Sequence, residues 1–396
     1  MTENSILGGL KSREGLLILM TTAFYVAFQT WMTLLNNFAV EGAAFSGKEI
    51  GILQSLREIP GFLAFGVVFL LIFVKEQSLA FISLILLGLG TALTGFFPSK
   101  MGLYLTTLLM SVGFHYFETV RQSLALQWIH KDRTPQVLGK IIAVGSRTAL
   151  LALGAIYLAV DIGGLELKWI YLLGGGFTVL TGIVAAFLYP TYPEGVSQHK
   201  HLVFRGRYWL YYALTFMSGA RRQIFVVFAG FLMVEKFHYS VADIALLFIA
   251  NQAINMLLAH RIGQLIGRWG ERRSMILEYL GLIGIFLSYA VVETAWIAAA
   301  LFIVDHLFFA MAIAHKTYFQ KIADPADIAS TAGVAFSINH VAAVFIPVVF
   351  GLLWLMAPAL VFLAGAGLAT LSLGLAFLVP SDPAPGREHL ALFSPR

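Results

Sequence analysis

The chain has 396 residues, 59% of them hydrophobic and 12% charged, with a mean hydropathy of +0.82 and no cysteine. Soluble globular chains carry about 25% charged residues, so this composition excludes a water-soluble fold. The missing cysteines exclude disulfides, cysteine-ligated zinc, iron–sulfur clusters and a cysteine nucleophile. The formal net charge of +5 resides largely in loops, and no basic run with interleaved aromatics marks a nucleic-acid partner.

Twelve apolar stretches of roughly 20 residues or more follow one another. Helices of that length satisfy their own backbone inside lipid, whereas barrel strands are about half as long and alternate in polarity. An all-α polytopic membrane protein with twelve transmembrane helices is therefore predicted. Residues 1–14 are polar. The first stretch, from about Leu16 to Phe38, is longer than a signal-peptide core and lacks a small-residue cleavage site after it, so it reads as a span. It carries Gln29 among Phe24, Tyr25, Phe28 and Trp31, aromatics that either face lipid and pack helices or stack on an organic ligand. The run GAAFSGKE from Gly42 has the spacing of a phosphate loop up to its lysine. Glu49 replaces the required hydroxyl residue and no strand precedes it, so no nucleotide site is assigned.

The second span places Arg57 and Glu58 ahead of Pro60 and Gly61, a pair that kinks or loosens a helix and suits a gate. Residues 79–97 contain no ionisable group. In the fourth span, FHYFETVRQS sets His115, Glu118 and Gln122 on one helical stripe with Arg121 beside it. Glu118 is either the intrahelical partner of Arg121 or a proton carrier sensitive to an anion at that arginine. The fifth span carries Arg147, and 169–189 is again free of ionisable groups. A polar, basic linker, TYPEGVSQHKHLVFRGR, occupies 191–207. The seventh span holds Arg221, Arg222 and Gln223 about fourteen residues from its start. Each arginine at that depth costs roughly 2.5 to 3.5 kcal/mol to insert, so the two need water, counter-ions or ligand. Successive helical residues point about 100° apart, which leaves open which arginine faces inward.

The eighth span holds Asn251 and Gln252 and ends in GQLIGRWGERR from Gly263. Residues 274–292 contain only Glu278, one turn from the polar end. The tenth span contains Asp305 and His306, a second candidate proton site, with His315 and Lys316 nearer its end and predicted to be interfacial. The eleventh carries His340, and 354–379 has no ionisable group. The tail, 380–396, is read as disordered.

Embedded charges thus avoid every third span. The third, sixth, ninth and twelfth can face lipid, and the others must line something polar. Fourteen loop lysines and arginines fall on one side and four on the other, which places both termini in the cytoplasm, most simply of a bacterial inner (plasma) membrane. The halves also match weakly. At an offset of 194 residues Glu49 falls on Asp243, Arg57 and Glu58 on Asn251 and Gln252, and Gln29 on Gln223; one residue less sets Arg147 on His340. Parallel repeats of six spans leave such an offset. Two pseudo-symmetric six-helix bundles around a central cavity are expected, over 15–190 and 208–379.

On these features the chain resembles the major facilitator superfamily of secondary transporters. Gly263, Leu265, Arg268, Gly270, Arg272 and Arg273 match its loop signature, although Gly267 replaces the acid and the corresponding first-half loop, FVKEQS from Phe73, has lost the motif. The resemblance implies that the first, fourth, seventh and tenth helices line the cavity, and that the second, fifth, eighth and eleventh form the gates. On this reading Arg221, Arg222, Arg121, Gln29, Gln223, Arg147 and His340 are candidate substrate contacts. Glu118, Asp305, His115 and His306 are candidate proton carriers, and Arg57, Glu58, Asn251, Gln252, Gly263, Arg268, Gly270 and Arg272 candidate gating residues. The embedded set, counted with Lys316, is net positive, which favours a small or amphiphilic organic anion moved by proton coupling or exchange. An exporter of amphiphilic or cationic compounds that uses Glu118 and Asp305 is the alternative. A non-transporting sensor or lipid-handling protein on the same fold should have lost its cavity polar groups, and this chain keeps them. No enzyme, cofactor or metal is expected; the partners are the substrate, protons and membrane lipids.

Overall fold

The computed structural model describes residues 12–71, 73–129, 134–192, 204–311, 313–324 and 328–390. Residues 1–11, 193–203 and 391–396, which fall in the predicted leading segment, linker and tail, lie outside them. The first helix, α1 (Arg13–Asn37), starts where the Ser12 hydroxyl accepts from the Gly15 amide at 3.0 Å, and ends in a π-helical turn, Phe38–Gly42. Helix α2 (Gly47–Phe62) runs through Pro60, then tightens to a 3-10 turn, Leu63–Gly66, as the Pro60–Gly61 pair leads one to expect. Next come α3 (Glu76–Thr94), α4 (Lys100–Trp128), α5 (Thr134–Tyr157) with a π turn at Leu158–Ile162, and α6 (Leu167–Leu188).

Helix α7 (Trp209–Gln223) changes to a π turn, Ile224–Ala229, directly after Arg221, Arg222 and Gln223, and resumes as Gly230–Glu235. After it come α8 (Val241–Trp269), α9 (Glu271–Val291), α10 in two pieces (Ala295–Ala310 and Ile313–Ile322), α11 (Ile328–Met356) and α12 (Pro358–Ala376). Nine helices among the described residues are long and apolar enough to cross a membrane. The α2 and α4 stretches fall short of that measure, because one is broken and the other carries clustered polar residues; the apolar run of α8 is described over Val241–Ile254.

The chain forms two compact units. One comprises Met1–Phe45, Leu56–His199 and Ser240–Ile249, the other Ser46–Ser55, Lys200–Tyr239 and Ala250–Arg396. In the first, α3 packs on α4 and α6, and α1 on α5 and α6. Glycines set the spacing: a Cβ on Gly90 would lie 2.6 Å from Met110 Cα, and one on Gly113 2.7 Å from Leu87 Cα. Small residues let backbones approach in lipid, where helix association depends on packing and not on the hydrophobic effect. Gly113→Val is expected to lower stability by roughly 1 to 3 kcal/mol or more through overpacking, read as a fall in the unfolding temperature of the purified protein. An unchanged temperature would show that α3 and α4 can separate freely.

In the second unit, α9 packs on α12, and α7 on α11 and α12. The segment after α12 folds back rather than trailing away. The Tyr318 hydroxyl donates to the Glu388 carbonyl, the Leu390 amide to the Leu378 carbonyl at 2.8 Å, and His389 meets the Trp209 ring edge-on. The expectation of a disordered tail therefore fails for 380–390, because Tyr318 and Trp209 supply partners that local composition does not reveal.

Candidate functional site

In the second unit, buried charge gathers where α7, α9 and α10 meet. Arg221, 4% exposed, places Nη1 3.5 Å from Glu278 Oε1, with its guanidinium 4.4 Å over the Tyr279 ring. The Tyr279 hydroxyl in turn bonds His315 Nε2. A small cavity beside this group, with about 20 Å³ open to a water centre, is lined by Ser218, Arg221, Arg222, Glu278, Asp305 and apolar side chains that include Phe225. That is room for one water molecule. Asp305 is 2% exposed, and its Oδ2, Glu278 Oε2 and Arg221 Nε are buried with no hydrogen-bond partner among the described residues. Phe225 closes the space against Phe302 and His306, at ring separations of 4.8 and 5.6 Å.

Local sequence explains this placement. Gly219 lies so close to α11 that a Cβ would sit 2.8 Å from the Asn339 carbonyl oxygen, which pins α7 two residues before Arg221. The π turn that follows adds a residue to the helical register, a device common at functional sites. Both arginines line the cavity, so the adjacency that left their directions open resolves with Arg221 buried and paired and Arg222 half-buried.

Two sequence expectations change here. Helix α9 contributes Glu278, 3% exposed and paired, so the ninth span is no plain lipid-facing helix. His315 is buried at 7% exposure against Tyr279 rather than interfacial, while its neighbour Lys316 is exposed. Glu278 and Tyr279 are the residues that sequence reasoning missed. The available signal was a lone carboxylate in an apolar span of a chain whose buried arginines needed partners.

The first unit holds its own polar sites. Arg121 Nη2 donates to both carboxylate oxygens of Glu118, at 2.6 Å to Oε2, so the intrahelical reading of that pair holds in this structure. The guanidinium lies 5.6 and 5.9 Å from the Phe24 and Phe117 ring centroids, and Phe24 stacks on Phe28 and Phe114. Phe24 and Trp31 are buried, so these aromatics pack helices. Gln122, on the same stripe, is exposed. Nearby, Arg57 Nε donates to Glu58 Oε1 at 3.1 Å, and Ser111 bridges the Arg57 carbonyl to His115 Nδ1, the latter at 3.0 Å. Among the candidate proton carriers, Glu118 thus lies with Arg121, and His115 with Ser111 and Arg57.

Of the other predicted residues, Gln29, Gln223, Asn251 and His340 are buried, and both side-chain polar atoms of Gln223 and of Asn251 lack partners among the described residues. Gln252 is half-buried. Arg147 is exposed, although it stands thirteen residues into α5, about 20 Å along the helix. In the loop signature, Gly270 takes a φ of 79°, open to glycine, between α8 and α9. Lys321 donates to the buried Glu271 at 2.9 Å, while Gly263 and Arg272 are half-buried and Arg268 is exposed.

A polytopic bundle of apolar helices with buried, mutually paired charges is the architecture of a membrane transporter. The chain belongs to the Major Facilitator Superfamily, whose family model matches residues 15–347. Among solved structures it is similar to the nucleoside transporter NupG (16% identity, TM-score 0.73, covering 92% of this chain and 98% of that one). It is also similar to a bacterial homologue of the human lysosomal transporter Spinster, in an inward-facing and occupied conformation (13% identity, TM-score 0.75, covering 97% and 98%). At such identities the likeness shows the fold. No curated protein matches the chain in sequence.

Proposed function

We propose that this chain is a secondary active transporter that moves a small or amphiphilic organic anion by alternating access, coupled to protons or running as an exchanger. One observation carries the anion assignment. The buried and half-buried arginines Arg57, Arg121, Arg221 and Arg222 are matched in number by Glu58, Glu118, Glu278 and Asp305, which leaves the surplus positive charge on exposed residues, above all Arg147. No ion-pair partner of Arg147 lies among the described residues, and an arginine facing lipid at that depth is costly, so its exposed side meets water or substrate. Its planar fork suits a carboxylate or phosphate. Gln29, Gln223 and His340 remain candidate substrate contacts. Arg57, Glu58, Asn251 and Gln252, with Gly263, Arg268, Gly270 and Arg272, remain candidate gating groups. The lysine and arginine bias supports cytoplasmic termini in a bacterial inner membrane.

The test is a thermal-shift screen of purified protein against carboxylates, phosphate esters, inorganic oxyanions and lipophilic cations, since a ligand selective for the native state raises its stability. Stabilisation by one anion family is expected. In Arg147→Ala, loss of a charge-assisted contact worth about 1.5 to 3 kcal/mol should weaken that anion roughly ten- to hundredfold. Equal affinity in the variant would remove Arg147 from the site. The buried, unpartnered carboxylate oxygens of Glu278 and Asp305 favour a second reading, export of amphiphilic cations. Stabilisation by cations alone would select it.

A further inference from the structure

The cavity between α7, α9 and α10 has an imbalance of hydrogen-bond roles. A carboxylate oxygen only accepts, and Glu278 Oε2 and Asp305 Oδ2 are both buried without donors among the described residues. Leaving such acceptors unsatisfied inside a membrane span is costly, and leaving them charged is costlier. The donors on the shared cavity are Ser218, Arg221 and Arg222; Arg221 reaches Glu278 at 3.5 Å, a loose contact for two buried charges, and its Nε is buried without a partner among the described residues, so this guanidinium is not aimed at the two orphan acceptors. A proton changes the inventory. A protonated carboxyl both donates and accepts, so one proton on either residue supplies the missing donor, directly or through the single water for which the cavity has room.

We propose that Glu278 and Asp305 act together as one proton-binding unit, with Arg221 as its fixed counter-ion, and that this unit is where transport is coupled. The proposal rests on the reading of the chain as a coupled anion transporter and names its coupling site. The proton comes from water, bonds to a lone pair of Asp305 Oδ2 or Glu278 Oε2 and returns to water on release; no bond between heavy atoms changes. A metal cation fits poorly, because two guanidiniums line the same space and would repel it.

The charge of the cluster then sets the order of events. Arg221 and Arg222 balance ionised Glu278 and Asp305, and one bound proton leaves the group with a single net positive charge. A monovalent anion is favoured when the proton is present and disfavoured when it has left, so the two travel together, one for one. The groups that face Asp305 carry both signs of charge. From α7 these are Arg221 and Arg222; from α9 they are Glu278 and Tyr289, with Tyr279 beneath Arg221; His306 is its own neighbour. His315 is held by Tyr279, and α12 brings no ionisable side chain to α9.

The experiment is infrared difference spectroscopy of the purified full chain between acidic and alkaline buffer, following the carbonyl stretch of protonated carboxyl groups. Wild type should show a band that disappears on alkalinisation. Glu278→Gln and Asp305→Asn should each abolish it, while Glu118→Gln should leave it intact. A band that survives both substitutions, or two bands removed one by each, overturns the shared site. Should either variant fail to fold, Glu278→Asp and Asp305→Glu keep the carboxyl, and both must move the same band. In weakly buffered solution, added benzoate should draw up one proton per anion in wild type and none in Asp305→Asn. The band without stabilisation by any anion would sink the anion reading alone. Anion stabilisation without the band would sink the proton site alone.

Discussion

Arg221→Ala is expected to destabilise the protein by about 3 to 5 kcal/mol, because it strands Glu278 as an unpaired buried charge. Both side chains are nearly inaccessible, so solvent cannot replace the lost partner. Tyr279 also loses the cation above its ring. Removing the stranded charge should reverse most of the loss: Arg221→Ala combined with Glu278→Gln should be more stable than Arg221→Ala alone. The double-mutant cycle, read from unfolding temperatures in detergent, isolates the pair. Additive effects would mean that Arg221 and Glu278 do not hold each other. This changes how anion-binding assays are designed. A loss of binding in Arg221→Ala would report a collapsed cluster, whereas Arg222→Ala and Arg147→Ala test contact with the ligand.

A second large effect is expected where the start of α2 meets α11 inside the second unit. A Cβ on Gly351 would lie 2.5 Å from the Gly47 carbonyl oxygen, and one on Gly51 3.1 Å from Gly351 Cα. Only glycine permits this approach. Gly51→Val is therefore expected to force α2 and α11 apart at this point, with an overpacking cost of roughly 1 to 3 kcal/mol or more, read as a fall in the unfolding temperature of the purified protein. If α2 and α11 must close on each other during alternating access, Gly51→Val should also lose nearly all uptake of the anion found in the screen. Full uptake in Gly51→Val would remove this contact from the gating cycle.

Much of the helical order was legible in the sequence because apolar length reports burial in lipid directly. The break after Pro60 and Gly61 followed from residue type, and the Glu118–Arg121 pair from three-residue spacing. Tertiary choices were not legible. Glu278 sits in a span that looks inert by composition, and its role comes from an arginine 57 positions earlier, whose direction hydropathy does not encode. His315 looked interfacial beside Lys316, yet successive residues point to different faces, and Tyr279 takes one of them. Arg147 and His340 occupy matching places in the repeat, but one is exposed and the other buried. A repeat equates positions in sequence, and the surroundings of each are then set by its own unit.

Membership of the two units bears on how the chain is made. The first unit includes Ser240–Ile249, which the ribosome adds some 50 residues after His199. At roughly 5 to 20 residues per second, the first unit therefore waits on the order of 3 to 10 s for its last piece. The second unit, in turn, uses Ser46–Ser55, synthesised before most of the first. A cut at the linker would therefore separate each unit from one of its segments, and the nascent first unit gains its last contacts only once α8 has begun to emerge.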